Sequence, residues 1–537
     1  MGRKLVFTIC LVFLLFSPLF DIIRFHSSIE VKASNGHLVH NLNTGLNYTS
    51  IQEAINAPET LDGHIIFAES GIYHEIININ KSIKLIGQNR ENTIIIGNKT
   101  NNTIVVSATN VTISKFTVKD GGEPNRVVLP TPIYGVYVEY SANNFNFTEN
   151  VLESNYVALY VRSDFCYISN NLIYNNTFGL WLGSARNSTL RRNTFFNNWG
   201  DFLPPSDSLA LKTLNLDTSN IVDGKPIYYL TYETNSTINS TNFPNVGLLI
   251  LTFSHNVTIR SLPTSVLFVY VTNSSIQNMT IENDLGILIY MSSWNLVKKN
   301  WVQGCIVGIS LQEGEKNTVI ENTIEKCFYG IWLGSSVKNA FFHNNLIDNT
   351  YQVKDLLGWY NSWNNTLEGN YWSDYNGTDL NLDGLGDKPY EIGPSSGLFD
   401  YYPLMGMFHC FNTTMDHYVN VISNSTIEDL KYFKANSTIK IYVSNMTATQ
   451  TYGFCRICIP YVIMDVNHIS VIIDDGVTPV LHQNYTLFDN GTHRWIYFVY
   501  PHSTHEISII PEFYLNNLLT LLILTTISII FARKRLF

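Results

Sequence analysis

The stretch Asp379-Leu380-Asn381-Leu382-Asp383-Gly384-Leu385-Gly386-Asp387 is the most chemically specific run in the chain. Side-chain oxygens at every second position, a glycine where the loop must bend and a further aspartate are how a short loop wraps a hard cation in oxygen. On this reading Asp379, Asn381, Asp383 and Asp387 ligate a structural Ca²⁺ through their side chains, and Leu385 through its carbonyl. Tyr390 stands where an EF-hand carries its bidentate glutamate. The ion must therefore borrow a ligand from elsewhere or keep water. The alternative is a metal-free loop closed by Asx turns.

Other reactive side chains are scattered. Glu139, Arg162 and Asp164 fall just after one repeated strand phrase and are the one candidate group for acid–base work. Lone charges at strand ends more often solvate a surface, so no catalytic residue is assigned. Cys455-x-x-Cys458 has zinc-like spacing but no second pair, and it sits in apolar, strand-like sequence. For Cys166, Cys305, Cys327, Cys410, Cys455 and Cys458, a disulfide or inert buried thiols is the expectation outside the cell.

The elements that must position these residues follow from composition and period. The 537 residues carry 33 Lys+Arg against 43 Asp+Glu, a net charge of −10, with only 14% charged residues. That composition excludes a generic nucleic-acid binder, which needs a basic face. It also excludes whole-chain disorder, because 45% hydrophobic and 13% aromatic residues can bury a large core. Solubility rests on neutral polar groups. Asn-x-Ser/Thr acceptors such as Asn47, Asn98, Asn146, Asn256 and Asn445 suit a glycosylated, exported protein.

Both termini point the same way. Arg3-Lys4 and the apolar stretch Leu5–Ile23 predict a signal peptide over 1–33, with an uncleaved anchor as the rival. Phe513–Phe531 is nearly free of charge and is followed by Arg533-Lys534-Arg535. This predicts a transmembrane helix over 513–532 with a cytoplasmic tail at 533–537.

An internal period fixes the architecture. Asn278, Asn300, Asn322 and Asn344 are each 22 residues apart, and Gly286, Gly308 and Gly330 keep step. Earlier copies are Gly135-Val-Tyr-Val, Ala158-Leu-Tyr-Val and Gly179-Leu-Trp-Leu. Short β-branched segments with alternate apolar residues, broken by Asn or Gly, predict stacked strands. About 22 residues per repeat suits one rung of a parallel β-helix. Asn recurs where the chain bends because it tolerates left-handed backbone and forms side-chain ladders. Cys305 and Cys327, one period apart, should share a column. Ser50-Ile-Gln-Glu53 predicts a capping box on a short helix over the first rung.

The predicted fold is all-β: a right-handed parallel β-helix over 34–405 with an insertion near 201–245, then an antiparallel β-sandwich-like domain over 406–512. The C-terminal transmembrane helix follows it.

Several phrases resemble NosD-type right-handed β-helix proteins. They are Ser50-Ile-Gln-Glu-Ala-Ile, Gly71-Ile-Tyr-x-Glu75, Val222-Asp-Gly-Lys-Pro-Ile-Tyr-Tyr, Gly369-Asn-Tyr371-Trp372-Ser-Asp374 and Asp400-Tyr-Tyr-Pro-Leu. The resemblance implies a carbohydrate-binding/sugar-hydrolysis repeat within the pectin-lyase-like fold. It also implies copper-site maturation, but His64, His74, His255 and His343 form no cluster along the sequence. The reading is a cell-surface protein that binds a polysaccharide, glycoprotein or other surface partner without catalysis and meets the membrane through its C-terminal helix. A polysaccharide lyase or glycoside hydrolase, and a copper-handling accessory protein, are the rivals.

Overall fold

The computed structural model describes residues 39–511 apart from 124–131, 357–359, 393–396, 415–416, 466–467, 475–478, 483 and 502–503. The expected signal peptide and transmembrane helix lie outside the described residues. Among the described residues no helix is long and apolar enough to cross a membrane. The fold class is corrected to an all-β solenoid with additional C-terminal β-sheets, and the described residues hold no membrane-spanning helix.

The solenoid has about thirteen turns. Its start is closed as expected by helix Ile51–Asn56, which lays Ile51, Ala54 and Ile55 on the first rung. Ser50 Oγ accepts from the Glu53 amide at 3.1 Å. The Glu53 carboxylate reaches back to the Thr49 amide, one residue earlier than a standard box. Glu75, from the first coil, accepts from the Ile51 and Gln52 amides at 3.0 and 2.8 Å and ties the cap down.

Three parallel sheets build the first coil. Representative in-register pairs are Phe147↔Ile168, Leu152↔Ile173 and Leu159↔Leu180. Alternate residues point inward, so short strands suffice. The corners divide between two adjacent positions the roles that sequence gives to one Asn. A left-handed residue turns the chain, as at Asn170 (φ 55°), Lys316 (φ 57°) and Glu321 (φ 57°). The buried Asn that follows forms the ladder. Asn322 Oδ1 accepts from the Asn300 amide at 3.0 Å and from Asn300 Nδ2 at 2.9 Å, while its own Nδ2 donates to the Val297 carbonyl. Asn150, Asn171, Asn193 and Asn220 repeat the pattern.

One expected column member is displaced. Asn278 occupies the exposed corner (φ 52°) and Met279 takes the ladder position, its amide donating to Asn300 Oδ1. That rung is 21 residues long, with Thr280 opposite Trp301. Cys305 and Cys327 do share a ladder column, where the Cys327 amide donates to Asn349 Oδ1; both thiols are free and buried.

Residues 201–245 hold a long rung and a reversal. Strands Asn215–Leu216 and Ile221–Val222 pair parallel with the preceding rung, and helix Ser208–Thr213 lies between Leu203 and them. At Asp223-Gly224 both residues have positive φ (47° and 76°), giving the two-residue hairpin such a pair favours. Ile221–Val222 thus pairs antiparallel with Lys225–Thr231, which opens a second parallel coil running to Leu356.

Beyond it, two five-stranded antiparallel sheets enclose one core that includes Val419, Ile441, Ile457 and Ile507. Cys455 and Cys458 fall three apart on strand Tyr452–Pro460, so their side chains leave opposite faces and do not pair.

Candidate functional site

The second coil does not stack coaxially on the first. Strands Leu248–Thr252 and Val266–Val269 are buried on both faces. Their alternate side chains fill different cores: Leu249, Leu251 and Phe268 the second coil, Leu248, Ile250 and Leu267 the first. A Cβ at Gly200 would meet Leu285 Cδ2 at 2.8 Å and Phe178 Cδ1 at 2.9 Å, so the coils touch where only glycine fits. Beside this contact they leave a cleft of about 890 Å³.

Aromatic side chains form the first-coil wall. Tyr134, Tyr137 and Tyr160 stack with ring centroids 4.9–5.8 Å apart, and Trp181 lies 5.3 Å from Tyr160. Tyr140, Tyr160, Phe178 and Trp181 line the cleft. Each comes from, or just follows, a parallel strand of one sheet, and Tyr160 and Trp181 point outward between buried neighbours. The facing wall carries Tyr290, Ser310, Gln312 and Trp332 from consecutive turns of the second coil. Trp332 Nε1 is buried and has no acceptor among the described residues. Gln312 Nε2 donates to Ser310 Oγ at 3.1 Å.

Arg162 and Arg186 carry positive charge into the cleft lining, and Asp207 is its one carboxylate among the described residues. Arg186 grips Asp207 through Nε and Nη2, each at 3.2 Å. Asp207 also accepts from the Ala210 amide at 2.7 Å as the cap of helix Ser208–Thr213. The Arg186 bond and that amide hold its carboxyl below the usual range. The long rung thereby forms a strap across one end of the cleft. Lys212 on the strap helix lies 4.9 Å over the Phe253 ring of the second coil.

Glu139, Arg162 and Asp164 are not brought together. Asp164 Oδ1 accepts from the Arg186 amide at 2.8 Å. Arg162 instead donates Nη1 to Tyr137 Oη at 3.2 Å and sits 5.8 Å over the Tyr140 ring. Two acids escaped sequence reading: the buried Asp201 and the half-buried Asp284, next to the Gly200–Leu285 contact of the two coils. Burial, opposed by the bond from Asn198 and reinforced by Asp284 and Asp223, pushes the Asp201 carboxyl up to about 8. The signal available was an aspartate directly after the glycine that keeps the rung spacing, at Gly200-Asp201.

The acidic loop is closed by its own hydrogen bonds. Asp379 accepts from the Asp383 and Gly384 amides at 3.0 and 2.8 Å, and Asp383 from the Leu385 amide at 2.8 Å and Asn381 Nδ2 at 3.1 Å. Asp387 accepts from the Leu380 amide at 2.8 Å. Burial raises the Asp379 carboxyl, and the charges of Asp383 and Asp387 add to the rise. Among the described residues no three His, Cys, Asp or Glu side chains are grouped to hold a metal ion.

The same observation bears on copper. His64 Nδ1 lies 3.1 Å from Asn41 Nδ2, His255 Nδ1 3.0 Å from Thr272 Oγ1, and His343 Nε2 2.9 Å from Glu368. Each sits with its own partner, at a different place in the coil. Among the described residues these donors do not group as a copper centre.

A family model described as "Periplasmic copper-binding protein (NosD)" matches residues 212–377, and one described as "Right handed beta helix region" matches 134–262. Together they span the inter-coil reversal and both walls of the cleft. Residues 134–377 are thus similar to NosD-type right-handed β-helix proteins. The chain is 43% identical over 106 residues to a "Probable ABC transporter binding protein NosD" of Stutzerimonas stutzeri, covering 20% of each chain. A "Cell surface glycoprotein" of Methanothermus fervidus is 32% identical over 120 residues, 22% of this chain and 18% of that one. The chain thus matches about a fifth of either relative's length. Among solved structures, the catalytic domain of an α-1,3-glucanase aligns at 14% identity over 57% of this chain and 65% of that one, with a TM-score of 0.28. A mannuronan C-5 epimerase A-module of Azotobacter vinelandii aligns at 12% identity over 58% and 92%, also with a TM-score of 0.28.

Proposed function

We propose that this NosD-type protein acts outside the cytoplasm, at the cell surface, as a non-catalytic binder of saccharide chains. The cleft between its two coils is the binding site. The observation that carries this is the pairing of aromatic faces, Tyr140, Tyr160 and Trp181, with the polar groups of Tyr290 and Gln312 on the opposite wall. Sugar rings present an apolar C–H face and a polar rim, so a site for them needs rings to stack on and directional donors at the edge. The volume lies within the range of small-ligand sites. The Asn-x-Ser/Thr acceptors and the likeness to a cell-surface glycoprotein support placement at the surface.

A glycan array probed with the purified protein tests this, with Trp181→Ala as the control. Trp181 is partly exposed and its loss should remove binding without unfolding the coil. Binding that survives Trp181→Ala moves the site elsewhere. Release of new reducing ends or unsaturated products would replace the binder with an enzyme. We also propose, from its oxygen spacing, that the loop Asp379, Asn381, Asp383, Leu385, Asp387 holds a structural Ca²⁺.

A further inference from the structure

We propose that the inter-coil cleft selects an anionic saccharide, one carrying a carboxylate or sulfate on the sugar ring, and that Arg162 is the residue that recognises the anion. The inference rests on the saccharide reading above and adds the charge of the ligand. Two guanidinium groups line the cleft and one is already spent. Arg186 is neutralised by the two-point grip on Asp207, which is itself fixed as a helix cap. Among the described residues Arg162 has no carboxylate within 4.0 Å.

Arg162 is nonetheless held in place. Tyr137 Oη accepts from its Nη1, and Tyr137 in turn is clamped by stacking against Tyr134 and Tyr160. A guanidinium has five N–H donors in a rigid fork, and a planar oxyanion takes two of them in parallel. An oriented, unpaired fork beside stacking rings is a receptor for an acidic sugar, whose ring lies on Tyr140 or Trp181 while its anion meets Arg162. The setting sharpens the choice. In a chain of net charge −10 the bulk surface repels anions, so a cleft with an uncompensated positive charge is a local exception.

Calorimetric titration of the purified full-length protein tests the proposal with three probes: a galacturonate oligosaccharide, the same oligosaccharide with its carboxyls reduced to alcohols, and a sulfated oligosaccharide of like length. The acidic probe should bind roughly tenfold to a hundredfold tighter than its reduced form, the span expected for a charged hydrogen bond. Arg162→Gln should equalise the two, and Arg162→Lys should keep part of the preference. The thermal midpoint of each variant confirms that the coil is intact. Preference for the sulfated probe alone assigns the anion as sulfate and supports the proposal. Equal affinity for acidic and reduced probes, or an acidic preference that survives Arg162→Gln, overturns it and leaves the saccharide reading standing. Absence of binding by every probe, neutral ones included, removes that reading as well.

Discussion

Removing the carboxylate of Glu368 should uncouple the C-terminal sheets from the end of the coil. Glu368 is 4% exposed and lies in the loop that follows Trp363. Its Oε1 accepts from Arg456 Nε and Trp495 Nε1, both at 3.0 Å, and its Oε2 meets His343 Nε2 at 2.9 Å. His343 belongs to a coil corner, Arg456 and Trp495 to two adjacent strands of the C-terminal unit. Burial alone would raise this carboxyl; His343 and Arg456 together outweigh burial and bring it from 4.5 down to about 2. At about 1.4 kcal/mol per pH unit, that depression is worth about 3 kcal/mol. It agrees with the roughly 3–5 kcal/mol lost when one partner of a buried ion pair is removed. Because the folded value is the lower one, the stabilisation is complete above about pH 4.5 and fades as pH falls towards 2. Glu368→Ala should lose about 3–5 kcal/mol near neutral pH. The loss should be concentrated in amide exchange of strands Tyr452–Pro460 and His493–Pro501 while the coil ladders stay protected. The variant should also lose the acid limb between pH 4.5 and 2. A loss below about 1 kcal/mol, or an unchanged acid limb, would show that the two units are held by other contacts and that this cluster is a passenger.

Two further perturbations test the solenoid and its end. Asn322→Ala orphans the Asn300 amide and the Val297 carbonyl inside the coil, at about 1–3 kcal/mol for each buried group. Asn278→Ala touches only an exposed left-handed corner, at about 1–2 kcal/mol; equal losses in denaturant unfolding would contradict the split between corner and ladder. Chelation should lower the melting temperature of the protein, and Asp383→Ala, which removes a proposed ligand carboxylate but keeps the carbonyl that accepts from Arg456 Nη1, should abolish that response. Identical melting curves with and without chelator would leave the loop metal-free.

The coil was legible because its determinants are local and repeat. Strands such as Thr323–Glu325 and Leu172–Tyr174 alternate inward and outward residues, and that period of two is written in the residue types. The ladder was legible as a column but not to the residue: Asn278 and Asn300 look equivalent at 22 apart, while pairing sets Thr280 opposite Trp301 at 21. A single-residue slip exchanges corner for core, and only the side chain's direction reveals it. The acidic loop was visible by spacing. Its link to Arg456, 73 residues later, was not, since nothing in either segment encodes the other.

The cleft itself was hidden for a different reason, and the trace it left is instructive. A solenoid that continued straight would keep one face of each strand outside, giving alternation throughout. Leu248-Leu249-Ile250-Leu251 and Val266-Leu267-Phe268-Val269 break that rule with unbroken apolar runs. Such runs mean burial on both faces, here because the Asp223-Gly224 reversal swings the second coil against the first. Alternation returns in Ile287–Tyr290, where Leu288 still packs on the first coil's core, and Tyr290, like Trp332 two turns further on, lines the cleft. The length of the unbroken apolar stretch therefore sets how far the coils adhere, and the first polar outward residue after it marks where a ligand can enter. Replacing an outward residue of the adhering region, such as Leu267, would loosen the joint, whereas replacing Tyr290 would alter only the opening.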